Sequence, residues 1–171
     1  MTDLLDQDIQ SGARFSTCRS WRYLLWRTWD NGAPPLVAVL LNPSTADETE
    51  DDPTVTRMMR RASSWGYGGL VVANAYAYRA TKPADLWRAS DPVGPENDAA
   101  IREACASAGL VICGWGRHCR YSRSRTILGL IRAAGQEPHA LRLLADGTPG
   151  HPLYVPYSAQ PVPVPASGEV G

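Results

Sequence analysis

The segment LVAVLLNPSTAD (residues 36–47) is the most informative part of this chain for its architecture. It begins with a short apolar run of valine, alanine and leucine, which indicates a strand buried on both faces of a sheet. The run stops at Asn42 and Pro43, because proline cannot continue a central strand. Polar side chains that leave a buried strand in this way are typical of a functional loop.

On either side of this segment, apolar runs alternate with helical patterns. Further strands are predicted at 22–29, 69–76, 109–113 and 138–144, and helices at 52–64, 96–108 and 123–134. Strands that alternate with helices predict an α/β fold, here a three-layer α/β/α arrangement with a mainly parallel central sheet. Asn31-Gly32 lies between 22–29 and 36–41, so we expect these two runs to form an N-terminal β-hairpin.

The length of 171 residues fits a single domain, which we place at 1–156. We expect residues 1–12 to be flexible and the proline-rich tail 157–171 to be extended or disordered. No stretch reaches the roughly 20 apolar residues of a membrane span, and the first ten residues do not resemble a signal sequence. The sequence therefore predicts a cytoplasmic protein with no membrane partner.

The four cysteines of the chain contain no C-x-x-C pair; they are Cys18, Cys105, Cys113 and Cys119. We interpret them as buried or free thiols, because a chain of this size without a secretion signal is not expected to depend on disulfides. A three-cysteine metal or cluster site is the alternative. We accordingly predict neither a metal nor another cofactor.

Seventeen basic residues balance seventeen acidic ones, which argues against a protein that coats nucleic acid through excess positive charge. The basic residues are nevertheless concentrated in one segment, which contains Arg117, Arg120, Arg123 and Arg125. Arginine binds phosphate oxygens in bidentate fashion, so this cluster is a candidate phosphate or nucleic-acid contact. The alternative is a solvated helix start.

The carboxyl ends of the predicted parallel strands bring several polar segments to one edge of the sheet. These segments are 42–47, 74–81, 114–117 and the pair His151 and Tyr154. Ligands of open α/β sheets bind at this edge. We therefore expect a site built from amides, a carboxylate, an imidazole and aromatic rings.

Several short motifs resemble those of an uncharacterised bacterial family, domain-of-unknown-function family 1643. They are LNPSTAD (41–47), DPT (52–54), WGYGG (65–69), ND (97–98), WG (115–116) and HPLY (151–154). The resemblance covers residues 20–156 approximately. It implies a family and no activity.

The order of four pieces is also similar to that in the uracil-DNA glycosylase superfamily. In those enzymes a strand ends in a Gly-x-Asn-Pro-Gly or Gly-x-x-Pro-Gly loop with the water-activating residue, and LLNPS (40–44) occupies the matching place. ANAYAYRA (73–80) resembles their base-reading segment, 105–116 resembles their helix and following strand, and GHPL (150–153) resembles their closing His-Pro-Ser loop. The resemblance implies a uracil-DNA glycosylase-like fold and hydrolysis of an N-glycosidic bond in a nucleoside, nucleotide or nucleic acid.

The catalytic residues that this resemblance implies are Asn42, Asp47 and His151. Cleavage leaves positive charge on the sugar and negative charge on the base, so the enzyme needs an oriented water and a donor near a base carbonyl. His151 would donate to the base oxygen, Asn42 would hold the water, and Asp47 would be the general base. The structural alternatives are a strand-ending imidazole, a turn asparagine and a capping carboxylate.

The expected substrate-binding residues surround the same loops. Asn74 offers one acceptor and two donors and would read the edge of a base, although it could instead bridge backbone groups. Tyr67, Tyr76 or Tyr78 would stack on a flat ring, unless these rings belong to the core or the rim. Ser44, Thr45 and Tyr154 complete the predicted set, with a nucleobase-containing small molecule or a nucleic acid as partner.

Departures from the glycosylase pattern leave two other functions open. The serine that follows the closing His-Pro is Leu153 here, and the last glycine of the first loop is Ser44. A module that binds nucleotides or nucleic acid without turnover is the first alternative. An unrelated hydrolase is the second, with Ser44 or Cys113 as nucleophile and His151 as base, although no G-x-S-x-G elbow is present.

Overall fold

The computed structural model describes residues 3–4 and 7–166, which form an α/β structure around one mixed sheet. Its strands are β1 Gln10–Phe15, β2 Arg22–Thr28, β3 Leu36–Leu40, β4 Gly69–Asn74, β5 Leu110–Cys113, β6 Pro138–Ala140 and β7 Val162–Pro163. Its helices are α1 Pro53–Ser64, α2 Pro83–Arg88, α3 Asn97–Ala106 and α4 Tyr121–Ala133. The predicted α/β class is confirmed.

The sheet order is β1-β2-β4-β3-β5-β6-β7. The four central strands β4, β3, β5 and β6 are parallel, and β1, β2 and β7 add antiparallel edges. The predicted hairpin between 22–29 and 36–41 is wrong, because β4 lies between these two strands and pairs with both. The N-terminal antiparallel pair is instead β1 with β2, in which Gln10 lies opposite Thr28.

Alternate residues of β3 divide the core into two parts. Val37 and Val39 belong to a cluster with side chains of α3 and α4, whereas Leu36, Ala38 and Leu40 belong to a cluster with side chains of α1. All five residues of the strand are buried, as expected for a parallel strand that is covered on both faces.

Helix α1 begins where the sequence predicts. The Asp52 carboxylate accepts a hydrogen bond from the Val55 N–H at 2.8 Å, and Pro53 follows in the first turn, where no N–H is required. The helix buries Val55 and Met58 on the face that contacts the sheet. Its first turn therefore stands over the end of β3.

The two ends of the chain lie partly within the described residues. β1 begins at Gln10, inside the segment expected to be flexible, and β7 pairs with β6 inside the proline-rich tail. The expectations for residues 1–2, 5–6 and 167–171 lie outside the described residues. In the part of the chain that the structure describes, no helix is long and apolar enough to cross a membrane.

Candidate functional site

A cavity of about 350 Å³ opens at the carboxyl ends of β3 and β4. Five of the predicted site residues line it: Asn42, Ser44, Thr45, Asn74 and His151. Its other polar walls come from Arg22, Asp52, Thr54 and Thr81, and apolar walls come from residues such as Leu40, Val72 and Leu153. Three segments that are distant in sequence therefore meet at the edge where the sheet topology places a ligand.

Asn42 has its amide fixed by two backbone carbonyls. Its Nδ2 donates to the Ala80 oxygen at 2.6 Å and to the Pro43 oxygen at 3.0 Å. Both partners are acceptors, so the amide orientation is determined and Oδ1 is the atom left without a partner among the described residues. Asn42 can therefore accept a hydrogen bond from a water molecule or a ligand.

Asn74 is buried at the end of β4, and its amide is oriented by Arg22. Nη2 of Arg22 donates to the Asn74 Oδ1 at 3.3 Å. The Asn74 Nδ2 donates no hydrogen bond to any described residue. This nitrogen is not completely buried. Asn74 can therefore donate to a ligand in the cavity.

The backbone at the end of β4 is held by the Asn97-Asp98 motif of α3. Asn97 donates through Nδ2 to the Asn74 carbonyl at 2.8 Å. Asp98 forms an ion pair at 2.7 Å with Arg123, whose Nε donates to the Ala75 carbonyl, also at 2.7 Å. This network explains why a polar pair at the start of α3 matters for the position of Asn74.

His151 has one ring nitrogen occupied by its own loop. The Leu153 N–H donates to Nδ1 at 3.2 Å, so the neutral imidazole carries its proton on Nε2. The residue as a whole is exposed, but the protein around the ring lowers the pKa of His151 below its ordinary value, and Asp52 partly opposes that shift. At neutral pH the ring is an uncharged donor through Nε2.

The loop that carries His151 is fastened to α1 by arginines. Arg61, which is 1% exposed, donates to the carbonyls of Val155 at 2.6 Å and Pro156 at 3.3 Å, and Arg57 donates to Val155 at 2.7 Å. The Tyr157 ring covers both guanidinium groups. The segment that follows His151 is thus held by the helix whose first turn forms another wall of the cavity.

Arg22 and Asp52 are the charged side chains of the cavity wall, and the sequence analysis identified neither as a site residue. Burial lowers the pKa of Arg22 to about 10, and Asp52 opposes this change. The available signal for Arg22 was a basic residue at the start of an otherwise apolar strand. Asp52 entered the sequence analysis as the first residue of the helix predicted at 52–64, and in the structure it caps this helix.

Asp47 lies in the same loop as Asn42 but is not among the cavity-lining residues. Its Oδ1 accepts hydrogen bonds from the backbone N–H groups of Thr49 and Glu50, both at 2.9 Å. These bonds lower the pKa of the Asp47 carboxyl below its usual value. In this structure the carboxylate closes a turn, and it does not cap a helix, which is the structural alternative for this residue.

The predicted tyrosines lie away from the cavity lining. Tyr67 is near Gly109, which directly precedes β5, and so stands at the opposite edge of the parallel strands. Tyr78 contacts the Trp21 ring edge-on at 6.5 Å between centroids, and Tyr154 is 91% exposed. None of these tyrosines lines the cavity, although Tyr154 directly follows Leu153, which does.

The predicted arginine cluster is divided between two environments. Arg123 is buried in its ion pair with Asp98, whereas Arg117, Arg120 and Arg125 are exposed. The guanidinium of Arg120 lies 4.4 Å from the centroid of the Trp87 ring. Three of the four side chains remain accessible to an anionic partner.

The cysteine considered as a nucleophile is buried, and the described residues form no evident metal centre. Cys113 is fully buried, and burial raises the pKa of its thiol well above the ordinary value, so it is a poor nucleophile. Among residues 3–4 and 7–166, no group of three or more His, Cys, Asp or Glu side chains is placed to hold a metal ion. Ser44, the serine considered as a nucleophile, lines the cavity together with His151.

Comparison with known proteins identifies a family. Neither a curated protein nor a solved structure gives a significant match to this chain. The model of one family, described as "Protein of unknown function (DUF1643)", matches residues 22–153, which include every cavity-lining residue from Arg22 to Leu153. The chain therefore belongs to the DUF1643 family.

Proposed function

We propose that this chain is a glycosylase-like hydrolase that cleaves the N-glycosidic bond of a nucleobase in a nucleoside, nucleotide or nucleic acid. One observation carries the proposal: Asn42, Asn74 and His151 line the same cavity, and each has one polar atom free to bind a ligand or a water. These atoms are an acceptor, Asn42 Oδ1, and two donors, Asn74 Nδ2 and His151 Nε2. The same proposal includes the finer fold assignment, a three-layer arrangement like that of uracil-DNA glycosylases.

In the proposed reaction, the bond between the sugar carbon and the base nitrogen breaks, and its electron pair remains on the base. The Asn74 Nδ2 and the His151 Nε2–H would donate to base oxygens and so stabilise the developing negative charge. A water that donates to Asn42 Oδ1 would attack the sugar carbon. These three groups supply the recognition and the charge stabilisation that the reaction needs.

The attacking water must also lose a proton. We assign this role to Asp52 in place of Asp47, because Asp52 is the carboxylate of the cavity wall. One of its oxygens caps α1 through the Val55 N–H, and no described residue donates a hydrogen bond to the other. Asp52 would take the proton from the water, and the departing base would take up a proton from solvent.

A base-release screen tests the proposal. The full chain is incubated with uracil-, hypoxanthine- and modified-base DNA, single- and double-stranded, and with a panel of nucleosides and nucleotides, and free base is measured by mass spectrometry. We expect release that falls by about 10²-fold or more in Asn42→Ala and His151→Ala. His118→Ala, which changes an exposed histidine outside the cavity, should behave like the wild type.

Equal release by all variants would show that the activity does not arise from this cavity. Absence of release with detectable binding would favour the alternative, a non-catalytic nucleotide or nucleic-acid binding module. That alternative is supported by the position of Asp47 in a turn and by the tyrosines that lie away from the cavity. A hydrolase that uses Ser44 and His151 would be recognised by labelling of Ser44 with an acylating reagent.

A further inference from the structure

Arg22 is a buried cation at the wall of the cavity. The residue is 3% exposed and forms no ion pair with any described carboxylate. Its Nη1 donates to the Ala46 carbonyl at 2.8 Å and its Nη2 to the Asn74 Oδ1, whereas Nε is buried without a hydrogen-bond partner. A buried guanidinium in this state costs free energy of folding, so stability alone does not explain it.

Two of the other buried arginines of the chain have a carboxylate partner, which Arg22 lacks. Arg27 and Arg123 each have a carboxylate partner, Asp51 at 2.8 Å and Asp98 at 2.7 Å. Arg61 also lacks a carboxylate and has a buried Nε without a partner, but it donates to two backbone carbonyls under the Tyr157 ring and does not line the cavity. Arg22 differs from all of them because it faces a ligand-sized space.

The groups around Arg22 make this part of the cavity rich in donors. Asn74 Nδ2 and His151 Nε2–H are free, and the first turn of α1 brings the positive end of a 12-residue helix. Arg27 and Arg79 add positive charge at longer range, and Asp52 and Asp47 offset part of it. A ligand with a negative charge would accept hydrogen bonds from the free donors and balance the positive charge of Arg22.

We propose that the cavity binds an anionic oxygen of its ligand against the Arg22–Asn74 pair. Such an oxygen has two chemical sources, the ionised carbonyl of a nucleobase and a phosphate group. The first source rests on the function proposed above and means that the base departs as an anion. The second would hold for a nucleotide ligand whether or not the chain is an enzyme.

The Nε–H group of Arg22 provides a direct readout, because it is buried and unpaired. In the ¹⁵N-labelled full chain, its resonance is assigned by its absence from Arg22→Lys. The protein is then titrated with inorganic phosphate, with 5-fluorouracil above the pH at which its ring N–H ionises, and with neutral thymine. We expect phosphate or ionised 5-fluorouracil to shift this resonance and to bind on the order of tenfold or more weakly to Arg22→Gln.

Three variants separate charge from positioning. Arg22→Gln keeps a donor for Asn74 Oδ1 without the charge, Arg22→Lys keeps the charge with fewer donors, and Arg22→Met loses both. We expect anion affinity to follow the order wild type, Lys, Gln and Met, with thymine binding unchanged between Lys and Gln. Thermal unfolding identifies any variant that does not fold, and the resonance shift in the wild type needs no variant.

The proposal is overturned if neither anion binds the wild-type chain, or if both bind Arg22→Gln as tightly as the wild type. The two proposals of this work can fail separately. Phosphate binding through Arg22 without base release would contradict the glycosylase and support the anion site. Base release that persists unchanged in Arg22→Gln, without Arg22-dependent anion binding, would support the glycosylase and contradict the anion site.

Discussion

Asp52 allows a sharp test of the site, because one carboxylate both caps α1 and supplies negative charge to the cavity. Two substitutions separate these roles. In Asp52→Asn the amide oxygen can still accept from the Val55 N–H, since asparagine and aspartate are equivalent as N-caps. Asp52→Ala loses the cap and the charge together.

The structure sets the size of the expected effects. The cap bond is 2.8 Å long, the residue has extended backbone, and Pro53 directly follows, so the full N-cap contribution should apply. We expect Asp52→Ala to lose about 1 kcal/mol of unfolding free energy, or about 2–4 °C in Tm for a chain of this size. Asp52→Asn should remain within about 0.5 kcal/mol of the wild type.

Activity should respond differently from stability. Both variants remove the proposed general base, so base release should fall by about 10²-fold or more in each. Urea denaturation measures the stability of each variant, and the mass-spectrometric release assay measures its activity. Equal destabilisation of the two variants would refute the capping argument, and wild-type release by Asp52→Asn would refute the role of Asp52 as base.

Three further predictions concern pH, packing and thiol reactivity. The pKa of His151 in the folded chain lies below 6.5, so the unfolded chain binds more protons at mildly acidic pH. Stability should therefore fall as the pH drops below 6.5. Denaturation midpoints of the wild type should show this slope more strongly than those of His151→Gln. Gly68→Ala should lower the free energy of unfolding by about 2 kcal/mol or more, because its Cβ would lie 2.1 Å from the Asp30 carbonyl oxygen. Gly129→Ala, on the exposed face of α4, should raise it by up to about 1 kcal/mol in the same assay. Hydrogen bonds from Ser16 and Ser20 lower the pKa of Cys18 to about 7, so iodoacetamide should modify this thiol first in peptide mapping, and faster labelling of buried Cys113 would contradict the structure.

The parts of the fold that the sequence predicts are those with strong local patterns. The apolar run at 36–41 and the one at 69–76 give β3 and β4, and Asp52 with Pro53 marks the start of α1. β1 was missed because QSGARF is mostly polar and is stabilised by its pairing with β2. The wrong hairpin has a similar cause, since strand order depends on pairing between distant segments, which the Asn-Gly turn signal does not contain.

The site follows the same division. Asn42, Asn74 and His151 could be brought together from the sequence because parallel strands share an edge. The direction of a side chain from a loop could not be predicted, and so Asp47 was proposed as the base although it does not line the cavity. Arg22 was missed because burial of a cation depends on the three-dimensional surroundings of the strand, which the apolar pattern alone does not define.

The free polar atoms of the cavity are oriented by hydrogen bonds to neighbouring residues of its wall. The amide of Asn42 is held by Ala80, that of Asn74 by Arg22, and the His151 ring by the Leu153 N–H. Groups fixed in this way need little reorganisation when charge develops on a bound molecule, which is the condition for electrostatic stabilisation of a transition state. Loss of a holding contact should therefore weaken ligand binding or turnover even where the group that touches the ligand is unchanged. The difference between Arg22→Gln, which keeps a donor for the Asn74 Oδ1, and Arg22→Met, which has none, measures that effect.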